Sequence, residues 1–317
     1  MRSSVIVLAL LLYLSSCGYS ALDLEREGNE FFRNQNYKEA IVKYTQALTK
    51  DSSLFTSRFN RGICHYVNSD NRKAASDFES ATFLKPSDSL GIGLSYFNLG
   101  LSQLALNNAS EALNAFDEAK KLNLSSHNLI LQRANCFFKM ADYNKASTLY
   151  TQALPYFSDS MSIYKSRGIS YYQTNRMMAA FIDFETYLSQ NSSPSLIYEF
   201  AGIAATLIGD YNKAIYYFDQ FIENESSLTG DGEKHMVIAL VNQSKIDYVQ
   251  GDINRCVELL GKAISINPRA KSAYLQRGKV FLSLDKYFEA CEDLNTAFIN
   301  GLTEAEDLLK ESCPEYY

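Results

Sequence analysis

The chain has no tryptophan, only 5 prolines and 15 glycines in 317 residues, and too few cations to balance its acids. The shortage of breakers, with 46% apolar against 21% charged residues, excludes a disordered chain and leaves enough apolar mass for a large core. A net charge of −6 and a pI near 5.3 exclude a nucleic-acid binder, whose phosphate contacts need a basic surface. HExxH, CxxC and GxSxG are absent, and His65, His127 and His235 are too far apart for a local ligand pair. Two GxG steps, Gly91 to Gly93 and Gly230 to Gly232, lack a third glycine and read as flexible insertion loops. The acidic residues read as solvated helix faces. No catalytic residue, metal ligand or cofactor site is expected.

One apolar run is present, at the start. Met1-Arg2 is cationic, and Val5 to Leu14 is too short for a bilayer, which needs about 20 residues. That pattern is the h-region of an export signal, so 1–16 read as a signal peptide. Leu14-Ser15-Ser16-Cys17 then resembles the lipobox of bacterial lipoproteins, in which small residues precede a thiol that takes up a diacylglyceryl group. The resemblance implies a lipid anchor on Cys17. An ordinary signal, cleaved after Gly18 or Ser20, would leave Cys17 incidental. On a eukaryotic route Asn108, Asn123 and Asn191 would head glycosylation sequons.

The remainder repeats itself. QNYKEAIVKYTQAL at Gln35, ADYNKASTLYTQAL at Ala141 and GDYNKAIYYFDQF at Gly209 are variants of one phrase. Its marker residue recurs as Ala40, Ala74, Ala112, Ala146, Ala180, Ala214, Cys256 and Ala290, at intervals of 34, 38, 34, 34, 34, 42 and 34. A fixed period of this length signals a stacked supersecondary unit, with two insertions. Twelve residues before each marker stands a small residue: Gly28, Gly62, Gly100, Ala134, Gly168, Gly202, Ser244 or Gly278. Four residues after it stands a large one: Tyr44, Phe78, Phe116, Tyr150, Phe184, Phe218, Leu260 or Leu294. Two antiparallel helices approach closely where one offers a small side chain and the other fills the gap beside it.

This constellation resembles the tetratricopeptide repeat, over Ala21 to about Glu304. The resemblance implies an all-α, right-handed α-solenoid of about eight helical hairpins: 21–54, 55–88, 93–126, 127–160, 161–194, 195–228, 237–270 and 271–304. A capping helix and tail follow at 305–317, amphipathic around Leu308 and Leu309 and ended by Pro314. Departures are the missing tryptophan, repeat-ending prolines only at Pro86 and Pro268, and Tyr187 and Phe221 in place of a final alanine. With the insertion Thr229 to Met236, these are expected to reorient the stacking between units five and seven. Cys64, Cys136, Cys256 and Cys291 fall at small buried positions, and no disulfide is expected.

In such arrays the first helices line the usual binding face. Its expected residues are Asn29, Asn60, Asn98, Asn135 and Asn242, amides able to donate to and accept from the main chain of an extended peptide. Beside them stand Phe59, Tyr66, Phe97 and Leu101 as apolar area, and Lys139 and Lys165 as cations. The carboxylate-clamp version of the repeat is not expected, because Glu25 and Asn98 stand where a lysine and an arginine belong. The whole reads as a non-enzymatic protein-binding scaffold, lipid-anchored in a bacterial cell envelope, with other proteins or peptides as partners and no nucleic acid. Alternatives are a soluble secreted or periplasmic peptide-binding protein without an anchor, and an accessory subunit of an envelope enzyme.

Overall fold

The computed structural model describes residues 19–84, 89–190, 196–224 and 230–316; Cys17, the expected signal peptide at 1–16, Pro86, Asn191 and Thr229 lie outside them. The architecture is an all-α repeat solenoid. Its first compact unit ends at Tyr156 and its second begins at Phe157. In the first unit α1 (Ala21–Arg33) pairs with α2 (Tyr37–Lys50), and α3 (Phe55–Val67) with α4 (Asn71–Thr82). Likewise α5 (Ser89–Ala105) pairs with α6 (Ala109–Lys121), and α7 (His127–Lys139) with α8 (Tyr143–Ala153). In the second unit α9 (Met161–Gln173) pairs with α10 (Met177–Leu188), and α11 (Leu196–Ile208) with α12 (Tyr211–Asn224). There α13 (Asp231–Gln250) pairs with α14 (Ile253–Ile266), α15 (Lys271–Ser283) with α16 (Tyr287–Ile299), and α17 (Glu304–Ser312) covers the last hairpin.

One turn type joins the two helices of every hairpin. Five residues before each marker the chain takes a positive φ, at Gln35, Ser69, Asn107, Ala141, Asn175, Gly209, Gly251 and Asp285. The next N–H then reaches back five residues to a carbonyl near the first helix's end, as in Asp142 N to Phe137 O at 2.9 Å and Asp210 N to Ala205 O at 2.9 Å. Such closure satisfies a carbonyl that the helix end would otherwise orphan. Only two of the eight positions are glycine, so six hairpins hold a side chain where glycine is favoured. The residue after the turn starts the second helix, and Asp142, Asp210 and Asp252 each accept from an N–H three residues on at 3.1–3.2 Å.

The small and large residues of the repeat meet as expected. A Cβ on Gly100 would stand 2.5 Å from the Phe116 ring, and on Gly168 2.7 Å from that of Phe184. Phe78, Phe116, Phe184 and Phe218 are fully buried, each worth about 1.5–3 kcal/mol of transfer free energy. Every marker, including Cys256, is fully buried.

A second contact repeats in the same register. The residue before the small one and the residue before the large one form an ion pair across the hairpin in four units. Arg61 meets Asp77 at 2.6 Å, Arg167 meets Asp183 at 2.7 Å, Arg277 meets Asp293 at 2.7 Å, and Glu27 with Lys43 reverses the signs at 2.5 Å. The signal was available as opposite charges sixteen residues apart.

Two expectations are corrected. Gly91 and Gly93 lie inside α5, so the first GxG step is helix; in the second, Gly230 is the turn residue that caps α13 and Gly232 already lies inside it. The inserted segment from Asp231 extends α13 to 20 residues; Asp231 and Glu233 in its first turn complement the positive end of the helix dipole, and Met236 reaches the core. Cys291 is not simply a core thiol. It forms a disulfide with Cys313, 5.7 Å between Cα atoms, which ties the end of α17 to α16.

Candidate interaction surfaces

Within the first unit the first helices α1, α3, α5 and α7 carry the expected amides, all half-buried. Asn29 sits at the centre of a small network: its Oδ1 accepts from the buried Tyr44 hydroxyl at 2.7 Å and from Asn60 Nδ2 at 3.0 Å. Asn135 repeats half of it, with Oδ1 accepting from Tyr150 at 2.8 Å and Nδ2 donating to Gln132 at 3.1 Å. The amide thus satisfies the hydroxyl wherever the large residue is tyrosine, a pairing legible in Gly28-Asn29 with Tyr44 and Ala134-Asn135 with Tyr150. Asn98 faces Phe116 instead and turns its Nδ2 onto its own helix, to Leu94 O at 2.8 Å.

The apolar members are shared between surface and core. Phe59 lies between Phe55 and Phe78, with ring centroids 5.6 and 5.7 Å away, and Phe97 packs on Phe116 at 5.6 Å. Leu101 packs on the same cluster, while Tyr66 stays exposed. Lys139 is exposed and donates to Asn107 Oδ1 at 3.0 Å.

In the second unit Asn242 is half-buried on α13, and Lys165 is exposed, with its ammonium 5.9 Å from the Tyr187 ring centroid. Glu199, one period of 34 residues after Lys165, is only 2% exposed; its Oε2 lies 2.8 Å from His235 Nδ1. Burial pushes the Glu199 carboxyl above the usual carboxylate range although His235 pulls the other way.

Chemistry at the remaining thiols is suppressed. Burial pushes Cys64 and Cys136 up to about 12 and Cys256 to about 11, so all three stay protonated and poorly nucleophilic. Among the described residues no group of three or more His, Cys, Asp or Glu is placed to hold a metal ion.

Comparison with known proteins agrees with this architecture. Residues 25–89 match the family model described as tetratricopeptide repeat. The chain is 30% identical over 115 residues to Tetratricopeptide repeat protein 4 of Homo sapiens, covering 34% of this chain and 28% of that protein. It is 33% identical over 96 residues to Small glutamine-rich tetratricopeptide repeat-containing protein 2 of Saccharomyces cerevisiae, covering 30% and 27%. The chain therefore spans less than a third of the length of these curated relatives. A solved structure of the C-terminal part of a TPR repeat-containing protein from Cytophaga hutchinsonii superposes with a TM-score of 0.56 over 77% of this chain and 95% of that one, at 16% identity. That likeness is one of fold. The tetratricopeptide resemblance read from the repeated residues is thus supported by a family model, by curated relatives and by a solved structure.

Proposed function

We propose that the chain is a non-enzymatic scaffold that receives an extended segment of a partner protein along the first-helix face of its hairpins. The observation that supports this best is the Asn29–Asn60 contact, which bridges α1 and α3 and leaves the Asn29 amide nitrogen without a partner among the described residues. A half-buried donor of that kind suits the carbonyl of an extended main chain. Phe97 and Tyr66 supply area to bury, and Lys139 and Lys165 favour acidic segments.

Export and a lipid anchor on Cys17 belong to the same proposal. The Cys291–Cys313 disulfide supports export, because such bonds persist in oxidising compartments and are rare in a reducing cytosol. The anchor rests on the lipobox-like Leu14-Ser15-Ser16-Cys17. Wild-type protein should take up labelled palmitate and partition into detergent, and Cys17→Ala should abolish both; unlabelled protein in the soluble fraction would leave the unanchored secreted form as the answer. For the surface, with a partner captured from detergent-solubilised membranes, Lys139→Glu with Lys165→Glu should slow association and flatten its salt dependence. Phe97→Ala should mainly speed dissociation, by about 1 kcal/mol or more for a hot spot. Wild-type binding by all these folded variants would move the interface elsewhere.

A further inference from the structure

A cavity of about 370 Å³ opens between the third and fourth hairpins of the first unit, within the size range of ligand pockets. It lies on a different face of α7 from Gln132, Asn135 and Lys139: at 100° per residue, Leu129, Ile130 and Arg133 are centred about 130° around the helix from the amide-bearing positions. The floor is apolar, from Leu124, Leu129, Ile130 and Leu149. Polar groups come from Lys120 at the end of α6, Arg133 on α7 and Gln152 on α8. His127 stands at the mouth, its ring stacked on Tyr156 with centroids 3.3 Å apart. Among the described residues no carboxylate lines the cavity.

Arg133 is the distinctive member. It occupies the position that Arg61, Arg167 and Arg277 hold in their hairpins, where each guanidinium meets an aspartate sixteen residues on. In the fourth hairpin that place is Leu149. Arg133 turns instead to Asp117 of the preceding hairpin, and both of its contacts, Nε and Nη2 at 2.8 Å, fall on the single oxygen Oδ1. Its Nη1 has no hydrogen-bond partner among the described residues, although the side chain is only 17% exposed. Lys120 likewise has no ion-pair partner among them.

Beyond its contact with Asp117, the half-buried Arg133 keeps a donor free beside Lys120, above a leucine-rich floor whose described lining holds no acid, an arrangement that a second carboxylate would complement. The corresponding cleft between the second and third hairpins carries Glu79, Glu111 and Glu118, so the cationic character belongs to this cavity and not to the repeat. We propose that this cavity is a second binding site, separate from the first-helix face, for a partner segment in which a leucine-like side chain stands beside an aspartate or glutamate. The aliphatic group fills the floor, and the carboxylate meets Arg133 and Lys120.

The test is a titration of the isotopically labelled full chain, followed by amide chemical shifts. One probe is the blocked peptide acetyl-Gly-Leu-Asp-Gly-amide, the second its Leu-Asn counterpart, the third inorganic phosphate. The Leu-Asp peptide should shift the amides of Ser126, His127, Ile130 and Arg133 saturably, with the Leu-Asn peptide at least tenfold weaker and phosphate weaker still. Leu149→Asp supplies the missing hairpin partner of Arg133 and should abolish the response while keeping the fold, as the native pairs at Asp77 and Asp183 indicate. Lys120→Gln, at an exposed position, should weaken it several-fold. Equal response to the Leu-Asn peptide, phosphate binding as tight as the Leu-Asp peptide, unchanged binding by Leu149→Asp, or shifts centred on Asn29 and Asn60 would each overturn the proposal.

Discussion

Arg167 and Asp183 face each other across the fifth hairpin with two parallel hydrogen bonds, Nε to Oδ2 at 2.8 Å and Nη2 to Oδ1 at 2.7 Å, and Asp183 is 2% exposed. Burial pushes the Asp183 carboxyl up against the pull of the guanidinium, so desolvation takes back much of what the pairing gives. Removing one partner is a different matter, since it strands a buried charge. Asp183→Ala should lower unfolding free energy by about 3–5 kcal/mol, whereas Arg167→Leu combined with Asp183→Ala should cost less than the single change. The double variant copies the third hairpin, which has Leu99 and Ala115 at these positions. Denaturant melts of the two variants decide the point, and equal losses would show that the pair itself stabilises.

The approach of α5 and α6 leaves no room for a methyl group at Gly100. Gly100→Ala puts a carbon 2.5 Å from the Phe116 ring and should cost about 1–3 kcal/mol by overpacking. Phe116→Leu on that background should recover part of the loss, because the eighth hairpin seats Leu294 against Gly278. Thermal melts showing Gly100→Ala as stable as wild type would mean that α5 and α6 leave room for a methyl group at this crossing.

Ala141 holds φ 59° in the turn before α8, a region that an L side chain enters at a cost of roughly 1–2 kcal/mol. Ala141→Gly should therefore stabilise the protein, by about 0.5–1 kcal/mol after glycine's larger loss of chain entropy. Gly251→Ala, at φ 86° in the corresponding turn, should destabilise it. Urea midpoints moving the other way would refute the shared turn geometry.

His65 is buried on α3, and burial lowers its pKa below the ordinary histidine value. Asp77 and Asp70 oppose the shift and Arg61 and Lys73 reinforce it; its Nδ1 is 3.6 Å from Asp70, too far for a hydrogen bond. Below about pH 6.5 the unfolded chain takes up a proton that the folded state refuses. Stability should be level above that pH and fall as pH drops toward the lowered pKa. His65→Phe should flatten this part of a stability–pH curve, and a variant with the wild-type slope would assign the acid sensitivity to another group.

The hairpin count was legible in the residues because each hairpin repeats one local requirement: a small residue, a marker and a large residue at fixed spacing. Those positions face neighbours within the repeat, so Gly100 and Phe116 announce their contact without any knowledge of the rest of the chain. The tyrosine–asparagine pairs at Tyr44 and Tyr150 follow from the same register.

What lies between registers was decided only in three dimensions. Arg133 and Arg167 occupy the same repeat position, yet one reaches back to the preceding hairpin because Leu149 removes its local partner. Cys313 lies beyond the last marker, where no period fixes its distance to Cys291, and α17 brings the two thiols within bonding range. Glu199 occupies the repeat position of Lys165, 34 residues on, but His235 at the start of α13 lies against it and it is buried. Periodicity constrains contacts that recur; an insertion, a substituted partner or a chain end creates contacts that occur once, and their geometry comes from packing alone.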